Sequence, residues 1–272
     1  MKAPDAMSRS LKPSDLHAEG RGALRLAAHG YFFVAAAQAR KDYGTIVAGQ
    51  ALVEYFIPER LVQPWPIVMV HGGGGQSLDL LATADGRPGW VQFFLAQGYA
   101  VYTLDRPGHG RSPYHPDALG PMSPPPPLEF LRSRFTHPEA ARDAWPGADR
   151  HTRWPAGAQG EEALVNLAAS CGPSQASFEA GHRAAADAGR ELLQRIGPAI
   201  LLTHSAGGPC GWVMADAAPG MVKGIVAIEP QGPPFLERPG AGRFDYGLAA
   251  SPMAFEPPLR EGEVLAGVDN PP

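Results

Sequence analysis

Cysteine is scarce in this sequence: Cys171 and Cys210 are its two instances in 272 residues. Neither belongs to a C-x-x-C pair or to zinc-ligand spacing, which excludes a disulfide framework and a cysteine metal site. Both read as ordinary thiols. Basic excess is missing too. Lys and Arg number 23 against 27 Asp and Glu, for a net charge of −4, so there is no electrostatic footprint for nucleic acid. Long hydrophobic runs are also lacking. The longest, Tyr31 to Ala37, falls far below the roughly 20 residues that cross a bilayer. Residues 1–22 are polar and mixed in charge, with no basic stretch leading into an apolar one. The expectation is a cytoplasmic protein with no membrane span, whose N-terminal 22 residues form a disordered arm. A start assigned too late would hide an export signal.

Glycine and proline, by contrast, are plentiful, at 33 and 30 residues, and announce long irregular segments. Hydrophobic residues make up 44% of the chain, enough for a sizeable core. The length suits one large α/β domain, or one domain with a lid.

The densest signal is Pro198 to Gly208, Pro-Ala-Ile-Leu-Leu-Thr-His-Ser-Ala-Gly-Gly. The apolar run Ala199–Leu202 reads as a buried strand, and Gly207 and Gly208 open a helix. Ser205 stands between them on a turn too tight for bulky neighbours. Such a strand–turn–helix holds a serine oxygen clear of the sheet and against the first amides of the helix. The usual first glycine of the pentapeptide is here Thr203, still a small residue.

Upstream, Tyr31–Val34 and Ala51–Ile57 read as two strands joined by a turn-rich segment around Lys41 to Gly44. The second alternates like a half-exposed edge strand. Pro66–Val70 is an unbroken apolar run, as in a strand covered on both faces. It empties into His71-Gly-Gly-Gly-Gly-Gln76. Four successive glycines cost backbone entropy on ordering, so the loop needs a reason to hold them. No Gly-Lys-Ser/Thr ending supports a phosphate loop. An oxyanion hole fits better, with the amide of Gly73 or Gly74 as donor and His71 pinning the loop. Gly89–Gln97 reads as a short helix with Trp90, Phe93 and Phe94 toward the core and Gly98 closing it. Ala100–Leu104 is the next strand, followed by the compact turn Asp105–Ser112.

Residues 113–175 lose this rhythm. Pro124–Pro127 and scattered prolines and tryptophans replace it. A structureless loop of that length is unusual in a compact domain, so the segment reads as a lid with some helix near Glu161–Ser170. A long helix follows over Ser177–Ile196, with Ala184, Ala188, Leu192 and Ile196 on one stripe. Pro209–Ala218 reads as helix, and Ile225–Ile228 as another buried strand ending at Glu229.

These motifs, in this order, resemble the α/β-hydrolase superfamily, over roughly residues 60–112 and 176–232. They look most like a bacterial serine esterase branch whose triad acid follows the strand after the nucleophile. The fold the resemblance implies is α/β, with a mostly parallel central sheet, helices on both faces and an insertion ahead of the nucleophile strand. The core falls in two parts, 23–112 and 176–232, the lid is 113–175, and 233–272 is an irregular tail. The resemblance also implies a mechanism. Ser205 attacks an acyl carbonyl, the oxyanion rests on the amides of Ala206 and Gly73 or Gly74, and Glu229 orients a histidine base. Glu229 lies 24 residues after Ser205, which suits one crossover helix plus one strand. Asp105 sits at an equivalent sheet edge, where the family's motif position is structural. No cofactor or metal is implied, and the substrate class is a small-molecule ester. Lactone, thioester and amide substrates stay open, whereas halide displacement would need an Asp nucleophile.

One departure matters. The fold orders its triad as Ser, acid, His, yet none of the nine histidines follows Ser205. Val264–Val268 is the best apolar window after Gly232, and it is short. The strand at Ile225 would then be an uncovered apolar edge. The expectation is a C-terminally truncated hydrolase whose catalytic histidine is not in this chain. A base drawn from His109 or His204 is a lesser alternative. A non-catalytic α/β-hydrolase-like protein is the competing reading, binding a ligand or using its open edge to pair with a partner chain or as a homodimer.

Overall fold

The computed structural model describes residues 24–261, 263 and 265–267. The expected N-terminal arm, residues 1–22, lies outside them, as do both ends of the apolar window at Val264–Val268. Strand β1 (Leu26–Val34) leads into a hairpin of β2 (Ala37–Lys41) and β3 (Gly44–Ala48), then β4 (Ala51–Pro58) and β5 (Ile67–Val70). The helical turn α1 (Leu78–Leu81), helix α2 (Trp90–Ala96) and strand β6 (Val101–Asp105) complete the first half. After an insert come α6 (Phe178–Ile196), β9 (Ala199–His204), α7 (Gly207–Ala217) and β10 (Val222–Ile228). The insert itself holds α3 (Pro116–Leu119), β7 (Met122–Ser123), α4 (Leu128–Leu131), α5 (Gly157–Ser170) and β8 (Ser174–Gln175).

Six strands form the central sheet in the order β1-β4-β6-β5-β9-β10. The last four run parallel, while β4 is antiparallel to both its neighbours. The all-apolar β5 is buried at every residue, as two covered faces require. One core cluster joins Leu192 and Leu193 of α6 and Met214 of α7 to Val68, Val70 and Leu201 of the sheet. On the opposite face, α2 delivers Val91 and Leu95 onto Ile67, Met69 and Leu202.

Several expectations need correction. β4 is not an edge strand: it lies between β1 and β6. Alternation reports unequal cover of the two faces, which interior strands also show. The turn-rich link before β4 contains the β2–β3 hairpin. In α2 Val91 and Leu95 are buried and Phe94 packs against the same cluster as expected, whereas Trp90 and Phe93 are 36% and 59% exposed. Those two aromatics point outward because the helix is rolled to aim its aliphatic pair at the sheet. β10, expected to be buried, forms an edge of the sheet with Val226 51% exposed. No strand among the described residues pairs with that edge. The segment after Gly232 is irregular in backbone yet packed. Phe244 is fully buried, edge-on to Phe178 and His182 of α6.

Candidate active site

Strand β9 delivers its chain to the carboxyl edge of the sheet and stops at His204. The next residue, Ser205, has φ +49, a left-handed conformation that costs a non-glycine residue about 1–3 kcal/mol. Helix α7 begins two residues later. A Cβ at Gly207 would press on the carbonyls of Val70 and His71 at 2.7 and 2.6 Å, so this turn can seat itself on the end of β5 only with glycine there. Thr203 is fully buried, and its methyl stands 2.8 Å from where a Cβ of Gly211 would be. The side chain that replaces the motif's first glycine is thus accommodated by a glycine in the facing helix.

The glycine loop after β5 lies against this turn. A Cβ at Gly72 would stand 2.9 Å from both Ser205 Cβ and His204 Nδ1. Gly73 has φ +29, and a Cβ at Gly74 would collide with the Gly172 carbonyl. Among the described residues, no protein group accepts a hydrogen bond from the amides of Gly73, Gly74 or Ala206. The loop is held from behind. Gly75 N–H and His71 Nδ1–H donate to the Gly72 carbonyl at 3.1 and 2.9 Å, and His71 Nε2 accepts the Arg106 amide at 3.1 Å.

That pattern fixes His71 as the neutral tautomer protonated at Nδ1. Burial, with the Arg106 charge second, holds its pKa well below the usual histidine value. His109 is likewise spent. Nδ1 donates to the Pro107 carbonyl at 3.1 Å, Nε2 accepts from Arg106 at 3.2 Å, and burial followed by the Arg106 charge lowers its pKa to about 2. Neither ring has a free nitrogen for proton transfer. His204 is half-buried at the end of β9, edge-on to Trp90. Burial lowers its pKa, with the Glu229 carboxylate opposing.

Glu229 follows β10 at φ +44, exposed to solvent. Its loop is laced to the serine turn: Ser205 N–H donates to the Ile228 carbonyl at 3.1 Å, and Gln231 N–H to the Ser205 carbonyl at 2.8 Å. Ser205, Glu229 and the glycine loop therefore share one edge of the sheet. Asp105, by contrast, is fully buried and its carboxylate is fully used. Oδ1 accepts from Ser77 N–H at 2.6 Å, while Oδ2 accepts from Arg111 N–H and Nε–H at 3.1 Å. It ties the turn after β6 rather than facing the site. Sequence reasoning missed Arg106 and Gln231, whose parts depend on which loops become neighbours. Among the described residues, no group of three or more His, Cys, Asp or Glu side chains is placed to hold a metal ion, and no helix is long and apolar enough to cross a membrane.

Comparison with known proteins agrees with this architecture. A family model described as alpha/beta hydrolase fold matches residues 66–251. Over 210 residues the chain is 40% identical to a fungal protein named probable secreted lipase phiG, from Fungal sp. (strain ATCC 74256). The match takes in 75% of this chain and 56% of that protein, so the chain spans little more than half the relative's length. A solved structure described as a novel bacterial esterase superposes with a TM-score of 0.63 at 25% identity, covering 77% of this chain and 70% of that one. The relative's name corrects the cytoplasmic expectation, which rested on the lack of an apolar leader: a protein 40% identical over 210 residues is named as secreted. By sheet order, matched family model and sequence identity, the chain belongs to the α/β-hydrolase fold family.

Proposed function

We propose that this chain carries the acyl-transfer centre of a serine hydrolase acting on carboxylic esters. The observation that carries the reading is the meeting of Ser205, held at positive φ, with the glycine loop, which together carry three amides without acceptors among the described residues. Ser205 attacks the ester carbonyl, and the negative charge that develops on its oxygen is taken up by the amides of Ala206 and Gly73, with Gly74 as the neighbouring donor. Donors fixed before the reaction need no reorganisation as charge develops, and each contributes roughly 3–4 kcal/mol. Glu229 is the acid that orients the base. Neither His71 nor His109 is that base, since their ring nitrogens are engaged within the protein. The lipase name of the relative and the esterase name of the structural neighbour support the ester class.

A second reading, a ligand-binding or interaction protein on the same fold, is favoured by one observation: the ring nitrogens of His71 and His109, the buried histidines beside the glycine loop, are engaged within the protein. A fluorophosphonate probe separates the two. It labels a serine hydroxyl only when its surroundings activate it. Labelling that is lost in Ser205→Ala supports the hydrolase. A folded chain that stays unlabelled sinks it in favour of the binding protein.

A further inference from the structure

Arg106 is 7% exposed, and no carboxylate lies within ion-pair reach of it among the described residues. Its Nε has no hydrogen-bond partner. Burying a guanidinium without a counter-ion is costly, so its actual partners are informative. One terminal nitrogen donates to the carbonyls of both Gly72, at 3.3 Å, and Gly73, and also reaches His109 Nε2. The Arg106 main chain contributes as well, its amide donating to His71 Nε2.

Those two carbonyls are a pointed choice. In a trans peptide the C=O and the following N–H lie in one plane and point in opposite directions. The Gly72 carbonyl therefore belongs to the same rigid plane as the Gly73 amide, and the Gly73 carbonyl to that of the Gly74 amide. A cation drawing both oxygens toward itself turns both N–H groups away from it. It also pulls electron density along each peptide, which makes the amides stronger donors. Gly73 itself has open space around its Cα, with nothing within 4 Å of where a Cβ would stand. The Gly72 carbonyl is also held by His71 Nδ1–H and Gly75 N–H, whereas among the described residues Arg106 alone holds the Gly73 carbonyl.

We propose that Arg106 is the positioning residue of the oxyanion hole: its buried guanidinium sets the direction and donor strength of the Gly73 and Gly74 amides by holding the carbonyls of the same peptide planes. This deepens the serine-hydrolase reading and rests on it. Arg106 touches no reacting atom, so its effect belongs to the step in which charge develops on oxygen, not to initial binding.

The test is the kinetics of Ser205 phosphonylation by a fluorophosphonate, whose phosphoryl oxygen takes the oxyanion's place. The unaltered chain, Arg106→Met and Arg106→Lys are compared, with the thermal midpoint of each recorded. Losing a preorganised donor costs about 10²–10³ in rate, so Arg106→Met should lower the maximal labelling rate by about 10²-fold with half-saturation within about threefold. Arg106→Lys keeps the charge but offers one point donor, and should fall between the two. A merely structural role would lower the midpoint and disturb half-saturation along with the rate. A folded Arg106→Met labelled at the parental rate overturns the proposal. Should that variant fail to fold, Arg106→Lys decides: an intermediate rate at parental half-saturation supports it, and the parental rate overturns it. An unaltered chain that is never labelled overturns the hydrolase reading, and this inference with it.

Discussion

The carbonyl of Ser205 accepts the amide of Gln231 at 2.8 Å, and this bond crosses from the serine turn to the loop after β10. With the Ser205–Ile228 bond it brackets Glu229 between two main-chain ties to Ser205. The position of the candidate acid is therefore set by backbone, and its charge can be removed without moving it. Glu229→Gln should lower kcat for a short p-nitrophenyl ester steeply while KM stays near its parental value, because an orienting acid acts through the base. Steady-state kinetics check this. Triad-acid losses run to about 10⁴, so turnover surviving within about twofold removes Glu229 from the mechanism.

Gly72→Ala puts a methyl 2.9 Å from Ser205 Cβ and 3.2 Å from the His204 carbonyl. The second neighbour is backbone and cannot swing aside. Overpacking of this kind costs about 1–3 kcal/mol, and the relief should come from the loop sliding off the serine. The expected result is a folded protein, modestly lowered in denaturant midpoint, with Ser205 labelling reduced at least tenfold, as about 1.4 kcal/mol of misalignment would do. Parental labelling would mean that the loop and the serine do not work together.

Asp105→Asn should damage stability more than chemistry. The carboxylate accepts three bonds in a fully buried setting. An amide would turn an NH2 toward donors at one of its two positions. Leaving a buried donor without its acceptor costs about 1–3 kcal/mol. Urea unfolding should show a loss of that order, and an unchanged midpoint would contradict the structural role.

Acid should destabilise the fold through His182. Its Nδ1 accepts the Ala250 amide at 3.0 Å. Burial, with the Arg106 charge second, lowers its pKa to about 4. The unfolded chain takes up this proton near the ordinary value of about 6.5, the folded one only near 4. The contribution is therefore complete above the unfolded value and is lost as pH falls toward the folded one. Within that window the slope approaches about 1.4 kcal/mol per pH unit for this histidine. Unfolding midpoints at pH 7, 6 and 5 should fall accordingly, and less steeply in His182→Asn. A flat profile would place the ring in a more open setting.

What could be read beforehand was whatever a short stretch decides for itself. The apolar run before Ser205, the glycines after β5 and the glycine closing α2 each carry their reason within a few residues. Non-local matters were illegible. β4 alternates as an edge strand does, and only the arrival of β1 beside it makes it interior. Phe244 sits in a stretch with no helical or strand period, and is buried because α6 happens to present Phe178 and His182 to it. Arg106 looked like one more turn residue. Its part depends on two glycine carbonyls more than 30 residues upstream, and nothing in the local pattern around Asp105–Ser112 points to them.

The contact between Gly74 and Gly172 has a consequence for how such a protein can be altered. Gly172 N–H donates to the Gly74 carbonyl at 2.6 Å, and neither residue carries a side chain at the crossing. The proline-rich segment between residues 113 and 175 is thus fastened, main chain to main chain, to the carbonyl one peptide beyond the Gly73–Gly74 plane. Under the proposed function, exchanging that segment to change which esters are admitted would also shift the glycine loop, unless the replacement brings a glycine back to the same crossing. On that reading, substrate range and catalytic alignment could not be adjusted separately.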